Sequence, residues 1–85
     1  MYDLVSFVLR GKFRKKILIE LKTPKTPTQL SKKLAIHRSN ISRGILELEK
    51  KGMLICLTPN EEMGRLYQIS EIGKSVLERM ENDKI

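Results

Sequence analysis

Ligand-forming and redox residues are scarce in this chain of 85 residues: it has one cysteine and one histidine. A disulfide framework needs paired cysteines and a structural zinc site needs about four Cys or His ligands, so both are excluded. No metal and no other cofactor is expected. Cys56 stands between Ile55 and Leu57 in a strand-like run, where a buried, inert thiol is expected. Tryptophan is absent and Tyr and Phe number two each, which argues against a stacking platform for RNA bases. No apolar run approaches the roughly 20 residues that cross a bilayer, so no membrane association is expected. The opening MYDLVSFVLRGKF lacks the basic start and small-residue cleavage site of a signal peptide. A cytoplasmic location is therefore expected. No nucleophile–base pair, catalytic carboxylate pair or glycine-rich phosphate loop is legible, and an enzyme is not expected.

Acidic residues are also few: 10 Asp and Glu against 17 Lys and Arg, a net charge of +7. Such an excess suits a polyanionic partner. It is unevenly placed. Residues 1–52 carry thirteen basic and four acidic side chains, a net of +9, whereas residues 53–85 carry four and six, a net of −2. Hydrophobic content of 40% is enough for one folded core. The length allows a single domain, 1–85, with a core over about 12–81 and an N-terminal extension over 1–11.

Leu9, Phe13, Ile17 and Leu21 recur every four residues and predict a helical first segment, which Gly11 divides into Tyr2–Leu9 and Lys12–Lys22. The Thr23-Pro24 pair ends it, since a residue before proline avoids the helical region. Thr26, Pro27 and Gln29 form a capping-box pattern opening a second helix that ends near Leu34. After the short connection Ala35-Ile36-His37, a third helix over Arg38–Lys51 places Ile41, Ile45 and Leu48 on one face. Gly52 suits its left-handed cap. The period then changes to that of two strands, Met53–Thr58 and Arg65–Ile69, joined by a polar loop with Pro59 and Gly64. Ser70 caps a last helix from Glu71 to about Asn82, with Ile72, Val76 and Met80 on its expected inner face.

Two helices joined by a turn of three to four residues, then a hairpin, form a helix-turn-helix with a wing. The runs TPTQLSKKLAIHRSNISRGILELEKKGML and RLYQISEIGKSVLERM resemble the winged helix-turn-helix transcriptional regulators of bacteria and archaea, in particular MarR-like and ArsR-like ones. The resemblance implies an α+β fold of three helices, a two-stranded β wing and a C-terminal helix. It further implies a sequence-specific regulator of transcription that binds double-stranded DNA, as a two-fold homodimer on a pseudo-palindromic site. Such a protein is nucleoid-associated through its DNA.

A helix in the major groove buries one face and reads base edges with the other. The residues expected to read bases are Arg38, Ser39, Asn40, Ser42 and Arg43. Arginine can pair with guanine through two hydrogen bonds and asparagine with adenine. Thr28 and Gln29 open the second helix, where free N–H groups attract phosphate; Lys32, Lys33 and His37 are further phosphate contacts, His37 also being placed to cap the third helix. Leu46 falls off the buried stripe, and packing against the wing or a partner is expected there ahead of contact with a thymine methyl. The wing tip carries Glu61 and Glu62, so only Arg65 is expected to meet DNA from it. Tyr2, Val5, Phe7, Val8 and Leu77 are the expected dimer contacts, the last because it lies off the Ile72/Val76/Met80 stripe. No small-molecule effector is legible. The competing reading is a winged-helix protein-interaction module of a transcription or degradation complex, with helix three purely structural; the acidic wing favours it and the +9 N-terminal region opposes it.

Overall fold

The chain was analysed as a computed structural model that describes residues 2–82, the side chain of Tyr2 excepted. The order is α1 (Tyr2–Arg10), α2 (Arg14–Glu20), α3 (Pro27–Leu34), α4 (Arg38–Lys50), β1 (Leu54–Cys56), β2 (Tyr67–Ile69) and α5 (Glu71–Asn82). The expected α+β winged helix is present, and the first segment does break at Gly11.

Local signals start and stop these elements. The Thr26 hydroxyl accepts from the Gln29 N–H (3.2 Å) while the Gln29 side chain accepts from the Thr26 N–H (2.8 Å), closing the capping box of α3. His37 caps α4, its Nδ1 accepting from the Ser39 N–H at 3.1 Å. Between them Ala35 adopts a left-handed conformation (φ 55°), and the Ser31 hydroxyl donates to the Ile36 carbonyl at 2.6 Å. Ser70 both accepts from the Gly73 N–H and donates to the Gly52 carbonyl, tying the start of α5 to the end of α4.

One core unites the helices. Ile17, Leu18 and Leu21 from the α2 region, Leu30 from α3, Ile41, Ile45 and Leu48 from α4, and Met53, Leu54, Tyr67 and Ile69 from the wing base are all buried. Each such aliphatic side chain contributes about 1.5–3 kcal/mol relative to exposure. The antiparallel strands pair Leu54 with Ile69, Ile55 with Gln68 and Cys56 with Tyr67. They are three residues each, shorter than expected. A third piece joins them: Lys25 and Tyr67 exchange both backbone hydrogen bonds (3.1 and 3.0 Å), and the Ile69 N–H donates to the Leu21 carbonyl at 2.8 Å.

Several expectations are corrected. Leu9 is 64% exposed, because the break at Gly11 resets the helical phase and Val8 takes the inner place. In α5, Ile72 is 49% exposed while Leu77 is buried beside Val76. Gly73 explains this phase: it faces inward against the Met53 carbonyl, where a side chain would collide. Val8 and Leu77, expected at a dimer contact, are thus enclosed by the chain's own core. Since α1 packs on α2 and α5 through Val8, the core reaches beyond the expected 12–81 span. Cys56 is a half-buried free thiol rather than a fully buried one.

Candidate nucleic-acid interface

Helix α4 divides its residues cleanly. Ile41, Gly44, Ile45 and Leu48 are buried, while Arg38, Ser39, Ser42, Arg43, Leu46 and Lys50 are exposed and Asn40 is half-buried. A Cβ at position 44 would lie 2.6 Å from the Ile17 Cδ1, so the small residue lets α2 approach α4 closely and turns the polar face outward. Among the described residues, Arg38, Arg43, Lys32 and Lys33 have no ion-pair partner. Their charges are uncommitted.

Two acids of the basic N-terminal region are held in ion pairs. Glu47 accepts from Arg14 at 3.1 and 3.3 Å, and Glu20 lies 3.8 Å from the Lys25 ammonium. Arg14 also donates to the Phe7 carbonyl and stands 3.7 Å from the centroid of the Phe7 ring. Phe7, expected at a dimer contact, is therefore engaged within its own chain. The Glu47 carboxylate, one turn beyond Arg43 on the helix, is held by a residue of α2.

Two grooves flank the outer face of α4. One, of about 390 Å³, is lined by Lys12, Phe13 and Arg14 beside Asn40, Arg43, Gly44 and Glu47. The other, of about 350 Å³, brings Pro27 and Thr28 at the start of α3 together with Arg38 and, from the wing, Glu62 to Arg65 and Tyr67. Thr28, Arg38 and Arg65, picked individually from the sequence, share this second groove. Lys12 was not anticipated. It meets Arg43 across the first groove only because the α1–α2 turn packs against α4, a contact with no local sequence signal.

The remaining expected site residues are placed as follows. Lys32, Lys33 and Gln29 are exposed along α3. His37 is exposed but spends its Nδ1 on the cap, 2.8 Å from the Ser39 hydroxyl as well. Arg65 is exposed, yet its Nε donates to the Glu61 carbonyl at 2.6 Å, which fixes it to the wing loop. Glu61 and Glu62 are exposed at the tip, beside Met63. Leu46 is 61% exposed, so the wing, one of its two expected packing partners, does not cover it.

This arrangement of a polar helix face between two basic grooves sits on a fold known from solved structures. A MarR-family transcription regulator is similar over 96% of this chain and 61% of its own, at 23% identity and a TM-score of 0.74. A mutant MarR from E. coli complexed with operator DNA is similar over 94% and 62%, at 23% identity and a TM-score of 0.75. A mutant of ZitR from Lactococcus lactis in complex with DNA is similar over 84% and 50%, at 18% identity and a TM-score of 0.69. The chain spans about three fifths of the length of the first two. No protein-family model matches the chain, and no curated protein matches it. The fold is the winged helix of MarR-type regulators. No helix among the described residues is long and apolar enough to cross a membrane.

Proposed function

We propose that this chain is a sequence-specific regulator of transcription that binds double-stranded DNA, with α4 in the major groove. The observation that carries the reading is the outer face of α4, polar but for one leucine, with uncommitted Arg38 and Arg43, flanked on both sides by grooves with basic linings. The two grooves suit the phosphate strands that border a major groove about 12 Å wide. Arg38, Ser39, Asn40, Ser42 and Arg43 read bases. Lys12, Lys32, Lys33 and Arg65 hold phosphates, with the Thr28 N–H at the start of α3 adding a helix-terminal anion contact, while the Gln29 N–H is spent on the Thr26 cap. His37 acts chiefly as a cap. The solved neighbours that hold DNA in the same fold support the reading.

The proposed active form is a two-fold homodimer located in the cytoplasm on its DNA, the whole chain serving as one domain. With Val8 and Leu77 enclosed, the dimer seam falls to the outer side of α1, where Val5 is half-buried and Leu9 is exposed. Tyr2 joins it as an expectation, its side chain lying outside the described residues. Recognition helices one duplex turn apart, about 34 Å, would then select a pseudo-palindrome.

A polarisation titration with random duplex across a salt series tests the reading. Four phosphate contacts per protomer give an expected log–log slope of about −3.6 for each protomer bound. Absence of binding at micromolar protein in low salt would overturn the reading in favour of a protein-interaction module.

A further inference from the structure

The recognition face of α4 is polar except at one point. At roughly 100° per residue, Ser39, Ser42, Arg43, Leu46 and Lys50 cluster on one side, and Leu46 and Ser39 lie nearest the centre line of that side. The buried residues Ile41, Gly44 and Leu48 lie opposite. Leu46 is therefore the side chain aimed most directly away from the core on the third turn. It is 61% exposed, and both flanking grooves are lined without it. Arg43 precedes it by three residues and Ser42 by four, so it shares their face. An isolated surface leucine is ordinary. One placed at the centre of a face otherwise made of Ser, Arg and Lys meets whatever that face meets.

We infer that Leu46 is a specificity-determining residue that reads the C5-methyl group of a thymine in the major groove. This inference rests on the regulator reading above. Among the base edges exposed in the major groove, the thymine methyl is the apolar group, so it is the one feature for which a leucine discriminates. Leucine offers no donor or acceptor to the other bases. It would leave the polar edge of guanine or cytosine without a partner, which opposes those bases at the same position. The seven helical steps from Ser39 to Leu46 span roughly 10 Å along the helix axis, equal to about three base-pair steps. The thymine therefore lies about three base pairs from the one met by Ser39, where α4 runs along the groove.

The test uses the full chain and duplexes selected by it from a random pool. In the selected site, each thymine is replaced in turn by uracil, which pairs identically but lacks the methyl. A single uracil in the site is expected to weaken wild-type binding roughly three- to five-fold, the value of one buried methyl. Leu46→Ala is expected to bind thymine and uracil versions of that site equally. Because Leu46 is exposed, the variant is expected to keep the thermal midpoint of the wild type, and Leu46→Met should retain part of the thymine preference. Wild-type binding that is sequence-selective but indifferent to every uracil overturns the inference and leaves the regulator reading standing. A uracil effect that persists unchanged in Leu46→Ala assigns the methyl to another residue and also overturns it. Failure of the wild type to enrich any duplex overturns the regulator reading and the inference together.

Discussion

Replacing Arg14 by alanine removes three interactions at once, and their sizes can be separated. The guanidinium binds Glu47 Oε1 through Nε and one terminal nitrogen, binds the Phe7 carbonyl through the other, and covers the Phe7 ring. In the pair with Glu47, the Arg14 side chain is 16% exposed but the Glu47 side chain is 40% exposed. Water screens the acid, so the pair is worth about 0.5–1 kcal/mol. The hydrogen bond to the Phe7 carbonyl has a charged donor and adds about 1–1.5 kcal/mol. The cation–π contact adds about 0.5–1 kcal/mol. Arg14→Ala should therefore destabilise the chain by about 2–3.5 kcal/mol, a fall of roughly 10–20 °C in the midpoint of a domain this size. Glu47→Ala should cost only about 0.5–1 kcal/mol, since Arg14 keeps Phe7. Urea unfolding of the wild type, both single variants and the double variant, followed by circular dichroism, gives the coupling directly; about 0.5–1 kcal/mol is expected. A coupling above about 2 kcal/mol would refute the screening argument. An Arg14→Ala cost no larger than that of Glu47→Ala would refute the claim that Arg14 fastens α1 to the rest.

Two further outcomes follow from the same structure. Gly73→Ala places a methyl against the Met53 carbonyl and the Ile69 side chain, so urea unfolding should report a loss of about 2 kcal/mol or more despite a helix-propensity gain near 1 kcal/mol. In DNA binding, Arg43→Ala should cost about 1–3 kcal/mol on the selected site and relax one base position, whereas Lys33→Ala should weaken all duplexes alike and reduce the salt slope by about 1; equal profiles for the two variants in a binding-site selection would remove Arg43 from the base readers.

Features set by neighbours in sequence were readable before the structure. The Thr26–Gln29 capping box, the His37 and Ser70 caps and the left-handed Gly52 each depend on four or five consecutive residues. The inner face of α4 was also readable, because Ile41, Ile45 and Leu48 leave one solution. The phase of α5 was not. Ile72, Val76 and Met80 form a plausible stripe, but the inward residue is Gly73, and glycine carries no hydrophobic signal. The 9–13–17–21 pattern misleads for a related reason: it runs through the helix break at Gly11, which shifts the phase. Contacts distant in sequence were invisible. Nothing near Glu47 in the sequence points to Arg14, 33 positions earlier, which holds its carboxylate. Between the helix stop at Thr23-Pro24 and the cap at Thr26, nothing in the sequence marks Lys25, which pairs with Tyr67 as a strand would.

That pairing has a consequence for any duplex the protein meets. The base of the wing is not jointed to the helix-turn-helix. Backbone bonds from Lys25 and Leu21 rivet it to the segment that leads into α3. The spacing between the start of α3 and the base of the wing is thus a fixed gauge. On the regulator reading, a misfit of groove width must be absorbed by the DNA. Sites would then be ranked partly by how readily their own base steps yield, so flexible pyrimidine–purine steps under the wing would be preferred even where no side chain touches them.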